Sequence, residues 1–281
     1  PEKLEEMAVS DPLKLIIKIL DDLGPKTATE IKDLLSNYII DEDSYSKWWQ
    51  QTRTKLKKDS YIESPENPKH PFTLRKNKLT LHSRVQEILS RSTQLSTSIT
   101  SLWNLMRDFP QVIKDSSTKA IISSEIKKLL KESSQSPFEK LELYFLHEII
   151  EDINSDATLI QKEIKALSQP LEEAVKIEIV SLRKRFMQAI KEYRNDWKAL
   201  FKEALLEIEP SLIKEYISKE LSKEELEESF RKLLEHPISY PETFLWAFQK
   251  VTQKESSICT EKRDVERFFE SFLLLLHSVE M

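Results

Sequence analysis

The sequence predicts a mainly α protein, with a small winged-helix-like unit over about residues 1–81 followed by an acidic, all-α multi-helical domain over about 82–281. Three observations lead there. Glycine occurs once in 281 residues, at Gly24, which disfavours a sheet protein built on positive-φ hairpins. Charged residues make up 32% of the chain, with Leu, Glu and Lys abundant, a composition that favours helices joined by short turns. Finally, residues 45–78 join a tandem-Trp helix, a run of basic side chains and a proline-interrupted, hairpin-like tail.

The first predicted helix spans Pro12–Leu23, with Asp11 as N-cap, Pro12 at the first helical position and Leu13, Ile16, Ile17, Leu20 and Leu23 on one face. Gly24-Pro25 ends it. Thr27-Ala28-Thr29-Glu30 has the spacing of a capping box and opens a second helix whose buried face is expected to be Ile31, Leu34, Leu35 and Tyr38. A third helix after Asp41-Glu42-Asp43-Ser44 places Tyr45, Trp48, Trp49, Thr52 and Leu56 in one stripe, with basic residues on its margins. Tyr61-Ile62-Glu63 and Phe72-Thr73-Leu74-Arg75 read as two short strands. Pro65, Pro68 and Pro71 lie in the loop between them, which would be the wing.

Beyond Leu81 the pattern is helical throughout, with helices expected near 82–91, 96–108, 117–133, 137–153, 157–168, 170–208, 210–219, 222–235, 241–255 and 260–279, stacked in consecutive pairs. The 170–208 stretch repeats its apolar residues every eleven positions, which predicts one long, nearly straight helix. A break near Asn195-Asp196 is the competing reading, because both residues prefer caps.

Charge is distributed unevenly. From Lys47 to Arg84 there are ten basic residues against three acids, a net +7, so the remainder of a chain whose total is −5 carries −12. This asymmetry points to a polyanion or an acidic protein partner. The candidate binding residues are Lys47, Arg53, Lys55, Lys57 and Lys58 on the third helix and Arg75, Lys76 and Lys78 on the wing. In a helix-turn-helix the last helix enters the major groove while flanking cations neutralise phosphates. The competing reading is a protein-docking winged helix whose Trp pair is core.

Several chemistries are excluded or weakly supported. A single glycine allows no Walker loop or dinucleotide fingerprint. Asp152, Asn154, Asp156 and Glu163 match calcium-loop positions, but Ala157 stands where glycine is required, favouring a helix-to-helix turn. His147-Glu148-Ile149-Ile150-Glu151 lacks the second His of a zinc-protease helix, so no metal or cofactor is expected. Cys259 cannot form an internal disulfide, which fits a reducing compartment, and the cytoplasm is the expected location. No apolar run is long enough to span a bilayer, and no signal peptide is evident. A membrane, a small-molecule substrate and catalytic residues are therefore not expected. The start at Pro1 and the dense apolar stretch before Met281 suit a piece of a longer protein, although removal of an initiating Met explains the start equally well.

Asp22-Leu23-Gly24-Pro25-Lys26-Thr27-Ala28, Lys47-Trp48-Trp49, Lys55-Leu56-Lys57-Lys58-Asp59, Ile62-Glu63-Ser64-Pro65 and Pro71-Phe72-Thr73-Leu74-Arg75 carry a more specific signal. Together they resemble the long N-terminal extension of enlarged, chlamydial-type GreA transcript cleavage factors. Leu105-Met106-Arg107-Asp108-Phe109-Pro110 and Phe244-Leu245-Trp246-Ala247-Phe248 continue the resemblance along most of the chain. Gre factors act through a helical hairpin with an acidic tip, and no such hairpin is evident here, so no catalytic residue carries over. The resemblance implies a noncatalytic accessory region with RNA polymerase as the expected partner and nucleic acid as a possible one. The alternative is a generic helical interaction scaffold unrelated to transcription.

Overall fold

The computed structural model describes residues 2–36, 38–65, 67–91, 94–132, 136–151, 156–208, 211–252 and 262–279. It divides into two compact units, residues 1–122 and 123–281. Sixteen α-helices and one two-stranded sheet are present among the described residues, so the protein is mainly α with a winged-helix-like N-terminus.

The first unit opens on α1 (Glu2–Ser10), a helix the sequence reading missed. Its apolar residues are few, and of them only Ala8 is fully buried. α2 (Pro12–Leu23) begins where Asp11 accepts a hydrogen bond from the Lys14 backbone N–H and stops at Gly24, whose φ of 74° suits a residue without Cβ. α3 (Ala28–Leu35) carries the complete capping box: the Thr27 N–H donates to Glu30 and the Glu30 N–H donates to the Thr27 hydroxyl. Its expected inner face is narrower than predicted. Ile31 and Leu35 are buried, but Leu34 is 38% and Tyr38 77% exposed, because α3 ends at Leu35 and the helical spacing no longer places Tyr38 on its inner stripe.

α4 (Glu42–Lys58) lays Tyr45, Thr52 and Leu56 into the core. β1 (Ile62–Glu63) and β2 (Thr73–Leu74) pair antiparallel, with Ile62 opposite Leu74. A bridge between Lys26 and Phe72, with backbone bonds of 3.2 and 2.7 Å, adds the α2–α3 connection to the sheet as a third rung. Ten buried residues between Ala8 and Phe72 make one core cluster, which α1–α4 and the wing surround. α5 (Leu81–Arg91) and α6 (Leu95–Asp108) belong to the same compact unit as the helices and sheet before them. The division between the units falls within α7 (Ser116–Glu132).

The second unit contains α8 (Pro137–Glu151), α9 (Ala157–Ala166), α10 (Pro170–Lys176), α11 (Val180–Tyr193) and α12 (Trp197–Glu207), then α13 (Ser211–Glu220), α14 (Lys223–Glu235), α15 (Pro241–Thr252) and α16 (Lys262–Val279). α11 packs against α8, α9 and α10, with Phe145 meeting Phe186 edge-on at 6.3 Å. Farther along, α12 packs against α13, α14 and α15, and Phe244 stacks on Phe268 at 5.1 Å.

The single helix expected over 170–208 is instead the three helices α10, α11 and α12. At the first break Ile177 is fully buried and its carbonyl accepts from the Arg183 guanidinium, with Nε at 2.7 Å. At the second, Arg194 is extended and its guanidinium donates to Asp196 at 2.8 Å and to the Leu167 carbonyl at 2.6 Å. Arg183 satisfies the carbonyl that the first break releases, and Arg194 at the second break satisfies the carbonyl at the end of α9.

Candidate binding surface

The surface is built on α4. Trp48 and Trp49 are half-buried, and the Trp48 indole N–H donates to the Ala8 carbonyl at 2.7 Å, tying α1 to α4. Tyr45 and Trp49 stack at 6.2 Å, and Trp49 meets Phe72 edge-on at 5.7 Å. The Trp pair therefore joins α1, α4 and the sheet and is held there by packing. The inward turn of this stripe leaves the basic residues outside. Lys47, Lys55, Lys57 and Lys58 are exposed and Arg53 is half-buried. Among the described residues Lys47, Arg53, Lys55 and Lys57 have no ion-pair partner, whereas Lys58 contacts Asp108 at 3.2 Å.

Arg53, Lys57 and Lys58 share a groove of about 480 Å³ with Trp49, Arg107 and Asp108. Arg107 was not among the expected binding residues, since it lies far along the chain on α6. Asp108 is held below the ordinary carboxylate range: burial works against its ionisation, but hydrogen bonds from Arg107 and Lys58 outweigh that effect. The groove thus holds four cations and one carboxylate.

On the wing, Lys76 and Lys78 are exposed, and the Lys78 ammonium lies 5.9 Å from the centre of the Tyr61 ring. Arg75 differs from the solvated position expected of it. It is half-buried, 4.0 Å from Glu63 and 3.6 Å from Glu87, because its backbone N–H bonds to the Tyr61 carbonyl and anchors the residue at the base of the wing. Arg84 also has a role the sequence did not reveal. Its guanidinium donates to the carbonyls of Lys57, Lys58 and Asp59, the last at 2.8 Å, and lies 4.4 Å from the Phe109 ring. It caps the C-terminus of α4, where a cation complements the helix dipole.

The second unit contains a buried polar chain. The His147 ring donates from Nδ1 to Asp156 at 2.5 Å, and its Nε2 lies 3.2 Å from the Ser123 hydroxyl. The order resembles a nucleophile, a base and an orienting carboxylate. However, Ser123 is 4% exposed in the middle of α7, so substrate cannot approach its oxygen. The chain is a satisfied core network linking α7 and α8 to the start of α9. It also engages Asp156, one of the possible calcium ligands. Residues 152–155 of that loop, and Cys259, lie outside the described residues. Among the described residues no cluster of three His, Cys, Asp or Glu side chains could hold a metal, and no helix is long and apolar enough to cross a membrane.

Comparison with known proteins adds an independent line. Residues 1–79 match the GRAD helix-turn-helix domain, and residues 81–276 match the GreA-associated C-terminal domain. Two curated relatives carry the name transcription elongation factor GreA. The one from Chlamydia trachomatis is 31% identical over 99% of this chain, and the one from Chlamydia pneumoniae is 28% identical over 99%. The chain spans about 40% of the length of each. No solved structure matches.

Proposed function

The chain belongs to the GreA-associated C-terminal domain family, with a GRAD helix-turn-helix domain before it, and on that premise we propose that it is a noncatalytic accessory region of a cytoplasmic bacterial transcription elongation factor of the transcript-cleavage type. It contacts RNA polymerase or nucleic acid through Lys47, Arg53, Lys55, Lys57, Lys58, Arg75, Lys76 and Lys78, of which Arg53 and Arg75 are half-buried. Residues 1–81 act as the binding domain and residues 82–281 as the helical domain that carries it. The observation behind this reading is the basic face of α4, where Lys47, Arg53, Lys55 and Lys57 have no carboxylate partner among the described residues. Uncompensated cations on a helix packed as the last helix of a winged helix suit phosphates or an acidic protein surface.

The test is a fluorescence-anisotropy titration of the purified chain against duplex DNA, single-stranded RNA and core RNA polymerase over a range of salt. Contact with duplex phosphates gives a log–log salt slope of about −0.9 for each phosphate neutralised. Binding to none of the three would refute the proposal.

A further inference from the structure

Beneath the wing, within the first unit, lies a cleft of about 380 Å³ between the sheet and α5–α6. Its size falls within the usual range for a small-ligand site. Two of its polar atoms, Ser64 Oγ and Arg75 Nε, are buried without a hydrogen-bond partner among the described residues. The Arg75 side chain forms no hydrogen bond to any described residue, and its contacts with Glu63 and Glu87 are ion pairs of 4.0 and 3.6 Å. Buried donors of this kind are costly unless something satisfies them.

The charge of the lining is also informative. Lys57, Arg75, Arg84 and Arg91 stand against Glu87 and Asp108, four positive groups against two negative ones. Arg84 is committed to the C-terminus of α4, and Arg91 to Glu87. Burial, and then the neighbouring Arg75 charge, lower the Arg84 pKa, with Glu87 and Asp59 opposing. A dianion would relieve that crowding. The walls supply apolar surface from Ile62, Leu79, Ile88 and Phe109, with the Asn104 amide beside them.

We propose that this cleft binds a terminal phosphate monoester, with the Arg75 guanidinium and the Ser64 hydroxyl as its donors and the apolar wall receiving the attached nucleoside. A phosphate monoester carries about −1.5 to −2 charges near neutral pH, which suits a lining whose cations outnumber its carboxylates even with Glu63 beside Arg75. An arginine fork is the side chain best suited to hold it. The phosphate could belong to a free nucleotide or to the end of a nucleic-acid strand. The inference goes beyond contact through the α4 face, which requires only distributed positive charge and has no preference for strand ends.

The test compares anisotropy titrations of a single-stranded oligonucleotide bearing a 5′-phosphate with the same oligonucleotide bearing a 5′-hydroxyl. It is joined by thermal melts of the chain with inorganic phosphate and with a nucleoside monophosphate. The 5′-phosphate is expected to bind about tenfold more tightly, and millimolar phosphate to raise the melting temperature. Arg75→Met and Ser64→Val should each abolish both effects, whereas Lys69→Met on the wing loop should retain them. Ser64→Val serves as the second probe should Arg75→Met fail to fold. A nucleoside monophosphate that binds as tightly as the phosphorylated oligonucleotide identifies a free nucleotide as the ligand, whereas a requirement for the strand identifies its terminus. Equal affinity for the two ends, with no thermal shift, overturns the proposal. If duplex DNA, the 5′-hydroxyl strand and core RNA polymerase all fail to bind but phosphate still stabilises the chain, the α4 reading fails and the cleft stands.

Discussion

The two units place part of their positive charge differently. In the second unit cations reach across to carboxylates on neighbouring helices: Lys198 to Glu225 at 2.8 Å, Lys202 to Glu228 at 2.9 Å, Lys191 to Glu220 at 2.5 Å and Lys140 to Glu163 at 2.5 Å. In the first, Lys47, Arg53, Lys55, Lys57 and Lys76 have no ion-pair partner among the described residues. Exposed pairs contribute only about 0–1 kcal/mol each, so the contrast has little to do with stability. At these four positions in the second unit pairing cancels the charge locally. Leaving Lys47, Arg53, Lys55 and Lys57 without partners maintains a positive potential on α4.

The largest effect expected is from damage to either core, and the two should differ in consequence. Leu56, fully buried in α4, and Phe186, fully buried in α11, should each destabilise when truncated to Ala, by about 2–5 and 3–5 kcal/mol respectively. Denaturant unfolding measures the loss. Only Leu56→Ala should also weaken binding to the partner found in the anisotropy assay. If Phe186→Ala weakens it equally in a chain that remains folded, the separation of roles between the units is wrong.

A second test uses pH. Glu142 is 5% exposed on α8, and burial, followed by the nearby Glu139 and Glu178, pushes its carboxyl up to about 7. The folded state therefore holds a proton that the unfolded chain releases above its ordinary value near 4.5. Stability from this group is complete below about 4.5 and is lost as pH rises through about 7, amounting to about 3 kcal/mol at most. Glu142→Gln should match the parent near pH 4 and exceed it at pH 8. Equal melting temperatures at both pH values would contradict the assignment.

A smaller effect is expected at Arg84. Arg84→Met removes bonds to three carbonyls at the end of α4 and the contact with Phe109, costing about 1–3 kcal/mol. A fragment of residues 1–81 should still fold, because its core cluster is its own, but should melt below a fragment of residues 1–122, because it lacks the bonds from Arg84 to the end of α4. Random-coil amide shifts in the shorter fragment would show that α5 and α6 are required for folding.

Much of the first unit was legible because its signals are local. Asp11, Thr27 with Glu30 and Gly24 lie within four residues of the groups they satisfy, so caps and stops could be read directly. Helix α1 was not legible: Leu4 and Met7 are only partly buried, and the hydrogen bond that ties it to α4 comes from Trp48, forty residues away. Distance also explains the other differences. The Lys26–Phe72 bridge, the pairing of Arg75 with Glu87, the groove contribution of Arg107 and the Ser123–His147–Asp156 chain all depend on elements brought together by the fold. The 170–208 seam has a helical period on both sides of each break, so periodicity alone could not place the corners at Ile177 and Arg194. The basic face of α4 could be read, because helical spacing sets it opposite the Tyr45, Thr52 and Leu56 stripe.

The comparison rests most directly on a matched charge-reversal experiment. One variant reverses Lys47, Lys55 and Lys57 to Glu in the first unit, and the other reverses Lys198, Lys202 and Lys191 to Glu in the second. Both are titrated at low salt against duplex DNA, single-stranded RNA and core RNA polymerase, after circular dichroism shows that each is folded. The account predicts that the first variant loses binding to the partner the parent recognises and flattens its salt dependence, while the second binds as the parent does. Equal losses from both variants, or no loss from the first, would mean that the α4 face is only a solvated surface.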